Sequence, residues 1–188
     1  MKIIKLLILL LVSCSLSAKA GVVKISGSLK QFGLDRVSMN SDGIAAEVYH
    51  DRTIEIIPDS NGRFDLKLKL KQPAYYKVGH NTLYLTPGDD LEIIFNRNTT
   101  KTTFNGKGIE ANNYLRNSAK LSGWEIAKIG RELNEFGLPK EKVSFEVYRY
   151  KVDSIVDASL DALAHLTAVT PEFRELEQIR LEACRLAT

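Results

Sequence analysis

Two cysteines, three histidines and a few clustered carboxylates are the side chains of this 188-residue chain best equipped for chemistry. Cys184 has no CxxC neighbour, so this chain cannot run a dithiol–disulfide cycle by itself. A single thiol on a helix reads as a core residue, or as one that pairs with a second chain in an oxidising compartment. His50, His80 and His165 lie far apart and lack ligand spacing, which gives neither a metal site nor a catalytic dyad. His165 falls late in a predicted helix, where positive charge suits the macrodipole. Asp89 and Asp90 could share acid–base work. Placed directly after Pro87-Gly88, however, they read as solvated turn residues. Asp59-Ser60-Asn61-Gly62 offers calcium-type oxygens but lacks the alternating ligands and distant Glu of a calcium loop, and Asn-Gly predicts a hairpin turn. There is no Gly-rich phosphate loop, nucleophile elbow, HExxH or basic aromatic stripe. No catalytic, cofactor-binding or metal-ligating residue is assigned on this basis, and the chain as it stands does not read as an enzyme.

The remaining candidate is aromatic. Tyr75, Tyr76 and Tyr84, near Phe95 and Phe104, would make a carbohydrate or peptide platform if several rings faced solvent together. Adjacent residues of a strand point to opposite faces, so Tyr75 and Tyr76 cannot both belong to it. The competing reading is burial, since aromatics on short strands mostly serve the core. Solvent exposure of the three rings separates the two.

These residues need a scaffold, and composition bounds it. With 44% hydrophobic and 26% charged residues the chain can bury a core. The net charge of +3 comes from Lys2, Lys5 and Lys19, and without them 23 basic residues balance 23 acidic ones. A neutral body has no bulk attraction for nucleic acid, nor for an anionic membrane surface. Residues 1–20 have the layout of a secretory signal peptide: lysines, the aliphatic run Ile3 to Val12, then Ala18-Lys19-Ala20 as a cleavage site before Gly21. The run is about ten residues, against the roughly 20 that a membrane-spanning helix needs. Leu11-Val12-Ser13-Cys14 also resembles a bacterial lipobox, with Cys14 as the residue that would carry lipid. Both routes lead out of the cytoplasm, to the periplasm or cell envelope, with the membrane touched only through a lipid anchor.

Between Val22 and Phe104 about nine short β-branched or aromatic runs alternate with Gly, Pro, Asn and Asp, which predicts an antiparallel β-sandwich over residues 21–107. The clearest run is Phe64-Asp65-Leu66-Lys67-Leu68-Lys69-Leu70, apolar on one face and charged on the other. Another falls at Ile44 to Tyr49, and the last at Lys101 to Phe104. From Gly108 to Thr188 the period becomes helical. About four helices are expected: Glu110 to Arg116 opens the first, which continues, with Gly123 as a point of break, through Trp124, Ile129, Leu133 and Phe136 to a stop at Gly137. A second starts at Pro139 and carries Phe145, Tyr148, Val152, Ile155, Ser159, Ala162 and Leu166 as its apolar face. A third, capped by Thr170 with Pro171 first, carries the stripe Phe173, Leu176, Ile179, Ala183 and Leu186. No stop signal closes that stripe, which predicts either a longer protein or, where the stripe stays uncovered, self-association. The fold class is therefore α+β, a sandwich followed by an all-helical segment.

Two segments in this order, Leu83-Tyr84-Leu85-Thr86-Pro87-Gly88-Asp89-Asp90 and Phe104-Asn105-Gly106-Lys107-Gly108 followed by Asn113-Tyr114-Leu115, resemble the N-terminal region of bacterial TlpA/ResA-type envelope thiol-disulfide oxidoreductases. The resemblance spans roughly residues 21–188. It implies a non-catalytic accessory module preceding a thioredoxin-like domain, with that domain or another envelope protein as partner. In that family the redox work belongs to a CxxC in the C-terminal domain, which is absent here, so no catalytic residue carries over. The alternatives are an envelope protein that binds a small molecule or glycan through the tyrosine face, and a truncated part of such an oxidoreductase.

Overall fold

The computed structural model describes residues 20–33, 36–41, 53–118, 131–133, 139–142 and 144–186. The signal segment with Cys14, the run Ile44 to Tyr49, His50, Gly123, Trp124, Ile129, Phe136 and Gly137 lie outside them. Alternation of apolar and polar residues builds eight strands in the first part of the chain: β1 (Gly21–Ser28), β2 (Val37–Ser41), β3 (Ile54–Ile56), β4 (Arg63–Leu70), β5 (Ala74–Val78), β6 (Asn81–Leu85), β7 (Asp90–Ile94) and β8 (Thr103–Lys107). They form two four-stranded sheets, ordered β4-β1-β7-β8 and β3-β2-β5-β6. Val23, Ile25, Phe64, Leu91 and Ile93 of the first sheet meet Val37, Met39, Ile56, Val78, Leu83 and Leu85 of the second in one buried cluster. Each strand supplies this core from one face only, as its period of two requires. On β4, Phe64, Leu68 and Leu70 are buried while Asp65, Lys67 and Lys69 face water.

Most pairings are antiparallel, but β1 and β7 run parallel, with Ile25 opposite Leu91 and Gly27 opposite Ile93. Gly27 is required at that contact. Its φ is +151°, and a Cβ there would lie 1.8 Å from the Ile93 carbonyl oxygen.

Both glycine turns singled out in the sequence form, yet neither makes a hairpin. Asp59 Oδ1 accepts from the backbone N–H groups of Asn61 and Arg63, each at 2.8 Å, so the carboxylate holds its own turn. The turn carries the chain from β3 in one sheet to β4 in the other, and those strands are not paired. The Thr86-to-Asp89 turn does the same between β6 and β7. Asp89, expected in solvent, is buried, and its Oδ2 accepts from Thr86 N–H at 2.7 Å. Burial raises its pKa. Turn chemistry is local, whereas the identity of the paired strand depends on which sheet buries it.

The last sandwich strand begins later than expected. Asn98 caps a single 3₁₀ turn at Thr99–Lys101, and β8 follows it. Thr102 then joins the two sheets, donating to Asn81 Oδ1 at 2.7 Å and accepting from Asn96 N–H at 3.0 Å.

Three described helices follow: α1 (Ile109–Asn117), α2 (Phe145–Ala164) and α3 (Pro171–Leu186). The long first helix is a correction. α1 ends at Asn117, and Arg131–Leu133 (β9) pairs antiparallel with Pro139–Lys142 (β10) where helix was expected. Pro139 therefore opens a strand. The second helix starts only after Ser144, whose Oγ accepts from Val147 N–H. Thr170 does cap α3, accepting from Phe173 N–H at 3.1 Å, with Pro171 in first place. None of the described helices is long and apolar enough to cross a membrane.

Candidate functional site

The outer face of β5 and β6 is where the sequence placed its aromatic platform. Tyr75 and Tyr84 are register partners across these strands and share a face, while Tyr76 points the other way into the sandwich core. Their shared face is covered by the three helices. Tyr84 is buried against Ala111, Tyr114 and Leu115 of α1, Leu163 of α2 and Phe173 of α3. The rings form a continuous series, Tyr75 to Tyr84 at 5.0 Å, Tyr84 to Phe173 at 4.7 Å, and Phe173 to Tyr114 at 5.9 Å edge to face. Tyr75, Tyr76 and Tyr84 thus do not make an exposed platform. Their apolar area is used to hold a helical layer on a sheet.

The Tyr84 hydroxyl is buried at this junction without a hydrogen-bond partner among the described residues, whereas the charged side chains that meet here satisfy one another. Glu177, on the inner face of α3, is fully buried. Its Oε1 accepts from the Tyr75 hydroxyl at 2.8 Å and from Arg180 Nε at 2.9 Å, and its Oε2 accepts from Arg180 Nη2 at 2.7 Å. The fork of Arg180 thereby neutralises a carboxylate that water cannot reach. Burial works against the charge on Arg180, but its hydrogen bonds to Glu177 outweigh this and raise its pKa. Burial raises the Tyr75 hydroxyl strongly, with the Glu177 charge adding to it. Burial also lifts Tyr84 and Tyr114 to about 12.

Asn112 of α1 is the second tie. It accepts from Tyr84 N–H at 3.0 Å and donates to Tyr84 C=O at 3.0 Å and Gly108 C=O at 2.9 Å. Its amide takes the place of a neighbouring strand and seals the β6 edge. Within the helical layer, Glu110 accepts from the N–H groups of Thr167 and Ala168, and Arg174 donates to the carbonyl of Leu163 in the last turn of α2 and to that of Leu166 just beyond it.

Among the described residues, Cys184, His80 and His165 sit on separate elements. Cys184 is half-buried behind α2, near Arg180 and Glu177, and burial raises its pKa away from the thiolate range. His80 lies in the exposed two-residue turn between β5 and β6. His165 closes α2, its Nδ1 2.8 Å from Asp161 C=O. Asp90 faces solvent and pairs with Lys24 at 3.4 Å. No group of three metal-type side chains occurs among the described residues.

Two hollows were not foreseen. An open polar cleft of about 1300 Å³ lies beside the Asp59 turn, lined by Ser26, Ser28, Lys30, Asn61, Arg63 and Glu92. An apolar hollow of about 530 Å³ lies between α1 and α2, lined by Tyr114, Asn117, Ile155, Ala158, Ala162 and Leu166. The cleft draws on residues scattered from 26 to 94, which no spacing rule links.

Comparison with protein-family models, with curated proteins and with solved structures finds no match.

Proposed function

We propose that this chain is a non-catalytic, exported accessory module of the kind that precedes a thioredoxin-like domain, acting by presenting a rigid surface to that domain or to another envelope partner. One observation carries the reading. The aromatic face that would have bound a small ligand is occupied by the chain's own helices, so sandwich and helical layer are one packed body. The Tyr75–Glu177–Arg180 network spans the junction and satisfies its buried charge internally. A body built this way is suited to hold a neighbour at a fixed distance. The export part of the proposal rests on residues 1–20, and the thioredoxin-like partner rests on the two resembling segments.

The test is the intact mass and N-terminal sequence of the protein from its native envelope, combined with chemical crosslinking. The expected result is a chain starting at Gly21 or at lipidated Cys14, covalently continuous with, or crosslinked to, a CxxC domain. A product retained in the cytoplasm, or an exported one found with neither, overturns the proposal.

A further inference from the structure

α3 carries its apolar residues on two faces. The inner one, Phe173, Glu177 and Leu181, packs against the body. The stripe read from the sequence, apart from Phe173, points away from it: Leu176, Ile179, Ala183 and Leu186 are all exposed, Ile179 by 59% and Leu186 by 86%. Their spacing of three, four and three is the seam of a two-heptad coiled coil, with Leu176 and Ala183 at a and Ile179 and Leu186 at d. The flanking g positions are then Glu175 and Glu182, and the one charged flanking e position is Arg180.

We infer that this stripe is a homodimer seam on which α3 of a second copy packs in parallel. The charges select both occupant and direction. In a parallel pair each g residue faces the e residue five places on in the other helix. Glu175 then meets the partner subunit's Arg180, twice by symmetry. Glu175 forms no ion pair among the described residues, and the Arg180 side chain is 37% exposed while it holds Glu177, so both are within reach of solvent. An antiparallel pair would instead set Glu175 and Glu182 against acidic residues of the other copy. Ala183 at a lets the two backbones approach closely. Two heptads bury less than the roughly 1,200–2,000 Å² of a stable complex, so the dimer is weak and concentration-dependent.

Sedimentation velocity of the exported protein under reducing conditions, which excludes a covalent dimer through Cys184, tests the inference. Over a range from about 10 μM to about 1 mM the mass should rise from monomer toward dimer. Ile179→Lys should abolish the rise, and Glu175→Arg should weaken association about tenfold, with helix content and thermal midpoint unchanged because both positions face solvent. A monomer throughout, or a dimer indifferent to Ile179→Lys, overturns the seam. A dimer strengthened by Glu175→Arg overturns the parallel arrangement.

Discussion

Removing the two halves of the Glu177–Arg180 pair should have unequal effects, because water reaches only one of them. The Glu177 side chain is wholly buried, whereas the Arg180 side chain is 37% exposed. Arg180→Met strands a carboxylate with one remaining donor, the Tyr75 hydroxyl, and should cost about 3–5 kcal/mol. Glu177→Leu releases an arginine that can turn its guanidinium to solvent. Its main loss is the acceptor of the Tyr75 hydroxyl, about 1–3 kcal/mol. The double variant removes both charges and fills the space with apolar atoms of similar volume, and because only the Tyr75 hydroxyl then lacks its acceptor it should cost no more than Glu177→Leu alone, about 1–3 kcal/mol. The coupling energy is then several kcal/mol, a large share of the roughly 5–15 kcal/mol that holds a domain folded. Urea unfolding of the four proteins, followed by circular dichroism with the slope checked for constancy, gives the cycle directly. An Arg180→Met variant milder than Glu177→Leu, or a double variant as unstable as the sum of the singles, refutes the assignment of the charge burial.

The same junction should respond to alkali. Tyr84 and Tyr114 ionise near 12 in the folded protein against 10 in the unfolded chain, so the folded state holds its protons more tightly. Their contribution is complete below pH 10 and is lost as pH rises to about 12, by about 2–3 kcal/mol for each buried ring. Tyrosinate absorbance should rise in two stages, with the late stage coinciding with unfolding; a single stage centred at pH 10 in folded protein contradicts it. Asn112→Leu deletes three hydrogen bonds and leaves the N–H and C=O of Tyr84 buried without partners, a loss of about 2–4 kcal/mol. Hydrogen exchange should then show the Tyr84 amide exposed, and unchanged protection there counts against the edge-sealing role. Gly27→Ala drives a Cβ into the Ile93 carbonyl and should cost more than about 3 kcal/mol, read as a lowered urea midpoint. A midpoint equal to the parent's means β1 and β7 are not in register there.

The sandwich strands were legible because half-buried strands write their period into the chain. Phe64 to Leu70 alternates in sequence and in burial alike. The caps at Thr170 and Pro171 were legible for the same reason, since a cap is chemistry between residues three apart. Strand pairing was not. Asn61-Gly62 and Pro87-Gly88 announce turns, and a turn has the same local chemistry in a hairpin as in a corner between sheets. Pro139 failed in another way, because a residue that suits the first turn of a helix also suits the start of an edge strand.

The two faces of α3 mark the boundary between what a chain determines alone and what packing decides. The sequence by itself determined that 171–186 is an amphipathic helix, since helical period and capping depend on neighbours within one or two turns. It also determined that Tyr75 and Tyr76 lie on opposite faces of a strand. Only the tertiary structure decided that Phe173, Glu177 and Leu181 turn inward while Leu176, Ile179 and Leu186 turn out. An apolar stripe is attracted to any apolar surface, so pattern alone places it inside. The fully buried Glu177 wins the inner face because Tyr75, from a strand about a hundred residues earlier, and Arg180 satisfy its oxygens there. That compensation exists only once sheet and helix have met.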